Sequence, residues 1–183
     1  MSDAENYKFV FSENDKKLKL YIRKFNSEVK ENHAGNKIDL TIYDTLRRIA
    51  ESAFANEPDI SEIKLPSNLH IVAKEAFKSC KSLKVVQFEG KEESELTIQL
   101  NAFKECEKLD SVIFGLKKPL KKLTIEKGAF EGCTSLRAVY LNSSECKISG
   151  GAFSGAENLT LAVKDGSDAE LYARENGIRY VKF

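Results

Sequence analysis

Apolar residues recur in this chain with a period far longer than that of a helix or a strand. The dipeptide Ala-Phe stands at Ala53-Phe54, Ala76-Phe77, Ala102-Phe103, Ala129-Phe130 and Ala152-Phe153, at spacings of 23, 26, 27 and 23 residues. With each Phe as origin, the residue six on is Ile60, Leu83, Leu109, Leu136 or Leu159. Nine on stand Ile63, Val86, Val112, Val139 and Ala162, and eleven on stand Leu65, Phe88, Phe114, Leu141 and Lys164. Five before each Phe stand Ile49, Val72, Ile98, Ile125 and Ile148. Inward positions two apart predict a short strand with one buried face. The stretch before each Phe, as in LTIQ, LTIE and CKIS, predicts a second extended piece. The Ala-Phe segment, as in EAFKSC or GAFEGC, reads as one short helical turn with Phe inward and a small Ala between neighbours. Each such coil is too small to fold alone and leaves apolar edges that only stacking can bury. The predicted architecture is therefore a solenoid of about five coils.

The ends break the repeat, as a stack with two open faces requires. YKFVF (7–11) and LKLYI (18–22) predict a hairpin around SENDKK, and residues 25–37 predict a polar loop. Residues 38–54 form a partial first coil. Ser167 or Asp168 can cap a helix that runs to about Asn176, with Gly177 as its left-handed stop. IRYVKF (178–183) predicts a closing strand. The predicted division is a cap over 1–37, repeats over 38–165 and a second cap over 166–183.

The unit AFxxCxxLxxVxF, with Ile five residues before its Phe, resembles the BspA-like leucine-rich repeat family over roughly residues 38–165. The ending AELYARENGIRYVKF resembles the closure of that family. The first unit departs, with Glu57 in place of Cys and Ile60 in place of Leu. The last unit has Ala156 in place of Cys and Lys164 at an inward position. The resemblance implies an α/β-type right-handed superhelix and a non-catalytic adhesion or protein-binding module, displayed on a cell surface or secreted. It carries no catalytic residues.

Composition narrows the function classes. Among 183 residues, 29 Lys and Arg face 28 Asp and Glu, a net charge of +1, which gives no reason to expect nucleic acid or an anionic membrane as partner. No apolar run is long enough to cross a bilayer. The start, MSDAENYKFVF, shows no secretory signal. Taken as complete, the chain would be cytoplasmic, whereas the resemblance implies export.

Candidate chemistry is sparse. Cys80, Cys106 and Cys133 share one repeat position and should form a column. Its ends would lie roughly 10 Å apart, and two sulfurs on one zinc ion can be no more than ~4.6 Å apart. The three therefore read as packing residues, and Cys146 takes the place that Leu96 and Leu123 hold in neighbouring coils. Neither His33 nor His70 stands at metal spacing from other ligands. There is no GxSxG elbow and no phosphate-binding glycine loop. No catalytic residue, cofactor or metal is expected. Two charge runs, EGKEESE (89–95) and GLKKPLKK (115–122), fill the same slot of adjacent coils. They should attract each other, either as solvated compensation or as a rim that orients a partner.

The positions between inward strand residues point outward. They are Lys64, Gln87, Ile113, Tyr140 and Val163, with Glu62, Val85, Ser111, Ala138 and Leu161 two residues earlier. Exposed Tyr and aliphatic groups suit a protein interface, although strands favour such residues on any face. The expected partner is a protein, docking through Lys64, Gln87, Ile113, Tyr140, Val163, Val85 and Leu161. Five short strands make a face of about 250–400 Å², against roughly 800 Å² per partner in a stable interface. Either the insertion loops join in, or binding is weak, or the chain is part of a longer protein. The alternative function is a structural, spacer or weakly self-associating segment of a larger surface protein.

Overall fold

The computed structural model describes residues 36–41, 43 and 45–183, together with the backbone of two strands at 7–11 and 18–22. The turn predicted at SENDKK, most of the loop predicted over 25–37, and His33 lie outside the described residues.

The alternation of buried and exposed positions is realised as two sheets. One contains β1 (Tyr7–Phe11), β2 (Leu18–Ile22), β4 (Arg48–Ile49), β6 (Ile71–Val72), β8 (Glu95–Ile98), β10 (Leu120–Ile125) and β12 (Ser143–Ile148). The other contains β3 (Lys37–Asp39), β5 (Glu62–Leu65), β7 (Val85–Phe88), β9 (Ser111–Phe114), β11 (Ala138–Leu141), β13 (Thr160–Val163) and β14 (Arg179–Lys182). Among the described residues each sheet has seven strands, stacked in chain order along the solenoid. All pairs are parallel except β1 with β2, which form the predicted antiparallel hairpin. The result is a parallel β-solenoid of about six turns with little helix. The last of these turns is β13, whose chain runs on into a helix instead of another Ala-Phe segment.

The Ala-Phe segments form a third side, and here the structure corrects the expected helical turn. Each segment is a succession of tight turns, with the residues two before and two after the Phe in the left-handed region. Ser52, Glu75, Asn101, Gly128 and Gly151 form one such row, and Asn56, Ser79, Glu105, Gly132 and Gly155 the other. The reason lies in the hydrogen bonds. A helix would direct every N–H along its own axis. Here the Phe N–H groups point to the next turn instead: Phe54 to the Ala76 carbonyl, Phe77 to Ala102, Phe103 to Ala129 and Phe130 to Ala152, at 2.7–2.8 Å. The residues two after each Phe donate in the same way, Asn56 to Lys78 and Gly132 to Ser154, both at 2.8 Å. Main chains this close leave room for Ala and little more. The five Phe rings stack in one column with centroids 4.7–5.3 Å apart.

At the far end, α1 (Asp168–Glu175) closes the core with Ala169 and Ala173 buried. Its caps are the predicted ones. The Ser167 hydroxyl accepts from the Glu170 N–H at 3.3 Å, and Gly177 follows with φ 62°. Tyr172 meets Phe153 edge-on at 6.4 Å, so an aromatic ring of the helix ends the Phe column.

Candidate functional site

The outer face of the second sheet carries the candidate residues, and strand register decides which of them it presents. In β5, β7 and β9 the alternation runs half-buried, buried, half-buried, buried. Lys64, Val85, Gln87 and Ile113 therefore face outward, and Tyr140 continues their row in β11. In β13 the register changes. Val139 pairs with Leu161 and Tyr140 with Ala162. Leu161 and Val163 are fully buried, and Thr160 and Ala162 take the outward places. Leu161 and Val163 thus leave the candidate face, and Lys164 is not an inward residue. The cause is one missing residue. Leu136 is followed by strand core at Val139 and Leu141, whereas Leu159 is followed by Leu161 and Val163. A one-residue shift moves every side chain to the opposite face. Counting offsets from Phe153 hid the change, although the local alternation LTLAV displays it.

The last strand adds residues that the repeat did not assign. β14 pairs Arg179 with Thr160 and Val181 with Ala162, so both lie in the outward rows. Phe183 stacks on Tyr140 with centroids 4.5 Å apart. Val181 and Phe183 are 54% and 49% exposed. The face is therefore charged at its start, where Lys37 pairs with Glu62 at 2.8 Å, and apolar-aromatic at its end.

Beside the face, where the chain enters the strands, lies an open depression of about 740 Å³. Lys84, Lys108, Thr134, Ser135 and Asn158 line it, with Val85 from the face itself. Arg137 and Asp110 also border it and bind each other, and the Asp110 carboxylate holds the guanidinium pKa above its usual value. Two cations, Lys84 and Lys108, set the net charge of its rim.

The charged insertions meet as expected. Lys117 binds Glu89 at 2.6 Å, Lys118 approaches Glu92 at 4.0 Å, and the Glu89 partner raises the Lys117 pKa. The loops pack so closely that a side chain at Gly90 would fall on the Lys118 carbonyl. Asn142 reaches across in the same region, donating to the Gly115 carbonyl at 3.0 Å.

The cysteine column is structural and has a polar role as well as a packing one. The thiols of Cys80 and Cys106 donate to the carbonyls of Phe54 and Phe77 at 3.0 Å, and Cys133 donates to Phe103 at 3.2 Å. Each is a second bond to a carbonyl one turn back, which also accepts a backbone N–H of its own turn: Glu57 to Phe54 at 3.1 Å, Cys80 to Phe77 and Cys106 to Phe103 at 3.2 Å. The contact with Cys80, together with burial, pushes the Cys106 thiol pKa up; burial pushes Cys133 and Cys146 up to about 12. All four thiols are buried away from solvent. Among the described residues no cluster of His, Cys, Asp and Glu could hold a metal ion, and no helix is long and apolar enough to cross a membrane.

A family model described as a BspA type leucine rich repeat region matches residues 31–160, in six copies. No curated protein matches the chain. The fold is similar to the crystal structure of a leucine rich cell surface protein from Faecalibacterium prausnitzii A2-165, with a TM-score of 0.64 over 93% of this chain at 20% identity. The chain spans 42% of the length of that structure. At such identity the likeness speaks for the fold.

Proposed function

The chain belongs to the BspA-type leucine-rich repeat family, and on that premise we propose that it captures a protein partner on the outer face of the second sheet. Domains of this repeat type are typically protein-interaction modules and generally non-catalytic. The observation that carries the proposal is the end of the face, where Tyr140, Phe183 and Val181 put aromatic and aliphatic surface beside the half-buried Ile113. Large aromatic side chains dominate the energetics of protein interfaces. The basic depression at Lys84 and Lys108 adjoins this surface and supplies charge to orient the partner. The division into a cap over 1–37, repeats over 38–165 and a cap over 166–183 belongs to the same reading, as does display on a cell surface, which its structural relative supports.

The test is direct. Immobilised chain is used to capture partners from cells or their surroundings, and captured proteins are identified by mass spectrometry. Tyr140→Lys and Ile113→Lys should abolish capture and lower the urea midpoint far less than Phe103→Ala does. Capture that survives both substitutions would place the interface elsewhere.

A second reading, self-association, is favoured by one observation: β14 is the outermost strand of its sheet.

A further inference from the structure

We propose that β14 pairs antiparallel with β14 of a second copy of this chain, giving a closed two-fold dimer. The direction of its main chain decides which groups are available. The Phe183 N–H donates to the Val163 carbonyl at 3.1 Å, and the register sets Tyr180 beside Leu161 and Lys182 beside Val163. In a parallel pair every second residue bonds the same neighbour. Arg179, Val181 and Phe183 therefore turn their main-chain groups to β13. Tyr180 and Lys182 turn theirs to the side on which no described strand pairs.

An antiparallel partner requires residue pairs that exchange both hydrogen bonds, alternating with pairs that exchange none. A dyad through Val181 meets this requirement with β14 alone. It sets Tyr180 against Lys182 of the second copy, and Lys182 against Tyr180. All four residues in these two pairs offer outward N–H and carbonyl groups. Val181 meets Val181 as the pair without hydrogen bonds, where side chains come closest.

Side chains fit the same register. Arg179 falls across from Phe183 of the second copy, a cation beside an aromatic ring and not beside a like charge. The Lys182 ammonium is already held by Asp165 at 2.6 Å and Glu170 at 3.0 Å, so the dyad brings no bare lysines together. Val181 and Phe183, both about half exposed, gain apolar cover on the outer face. Open edges invite pairing, and the four-residue length of β14 keeps this pairing weak. The interface uses one patch on both copies, so it closes at two.

One consequence rests on the proposed function; the dimer itself does not. Pairing makes the two outer faces continuous across the dyad. The combined face doubles an area that a single chain leaves short of a standard interface.

Sedimentation velocity of the chain Met1–Phe183, from micromolar to millimolar concentration, should show a monomer–dimer equilibrium and nothing larger. Val181→Glu sets two like charges at the dyad and should weaken the dimer about tenfold or more, with the urea midpoint held. Leu116→Glu, at an exposed leucine on an insertion loop, should leave the dimer intact. Amide exchange should slow with concentration at Tyr180 and Lys182 and not at Arg179 or Val181. A monomer at millimolar concentration, growth beyond two copies, or a Val181→Glu dimer of undiminished affinity would each overturn the proposal. So would protection of the two amides only when an extended peptide is added. Loss of partner capture in Tyr140→Lys with the dimer intact bears on the proposed function alone.

Discussion

The Ala-Phe ridge and the outer sheet face are made by the same turns, yet they are built on opposite terms. On the ridge every rung repeats: Phe on Phe, a small Ala between, and an N–H to the next turn's carbonyl at 2.7–2.8 Å. On the outer face no rung repeats, and Lys64, Gln87, Ile113, Tyr140 and Ala162 follow one another. The ridge is enclosed by its own neighbours, so its chemistry is dictated by stacking. The outer face meets only solvent or a partner, so its side chains are free to differ. Repetition within one chain thus separates positions that hold the solenoid from positions available for recognition.

The ridge also differs along its own length. Early turns place Ser52, Glu75 and Glu105 in left-handed backbone, while later turns use Gly128, Gly132, Gly151 and Gly155 there. The backbone shape is common to all turns because the inter-turn hydrogen bonds demand it. Side chains with a Cβ tolerate that shape at a conformational cost, and glycine meets it without one.

Substitutions on the ridge should have the largest effects. Phe103→Ala removes a ring stacked on both sides and should cost about 3–5 kcal/mol in urea denaturation; a loss under a third of that would break the claim that the ridge carries the fold. Cys106→Ala removes a buried thiol and the second of two bonds to the Phe77 carbonyl, which keeps the Cys80 N–H at 3.2 Å, and should cost about 0.5–1.5 kcal/mol. In the native protein none of the four buried cysteines should react with iodoacetamide at pH 8, whereas all should react in urea. Gly132→Ala, at φ 74° with ordinary contacts around the added methyl, should cost about 1 kcal/mol. Ser52→Gly, at φ 53°, should gain less than about 1 kcal/mol.

Acid should act on the C-terminal closure before it acts on the ridge. The Lys182 ammonium holds the Asp165 carboxyl below its usual value, and the Gly166 N–H, then Lys182, do the same for Glu170. Carboxyls lowered in the folded state stabilise it above their unfolded values of 3.8 and 4.5. That contribution is lost as pH falls below this range, so amide exchange in α1 and β14 should rise there while β7 and β9 stay protected. Tyr140→Lys gives up the stack on Phe183, should cost no more than about 1.5 kcal/mol, and should remove partner capture.

Much of this was legible in the residues. The spacing of Ala-Phe, the inward Leu and Val positions, the cap at Ser167 with Gly177, and the cysteine column all follow from local pattern and volume. The turn geometry of EAFKSC was not legible, because only the next turn's carbonyl decides where the Phe N–H points. Nor were Leu161 and Val163 placed correctly, since a count from Phe153 cannot sense a residue missing from the turn between Leu159 and the strand. Phe183 was readable as strand, but not as the ring that stacks on Tyr140.

The sequence by itself determined the period, the core, the family resemblance and the absence of a recognisable catalytic motif, because these are set by side-chain size and polarity at fixed offsets. Only the tertiary structure decided which residues share a face and which strand stands outermost among the described ones. Those depend on strand register and on stacking between turns, where a single-residue shift inverts a strand without changing its composition.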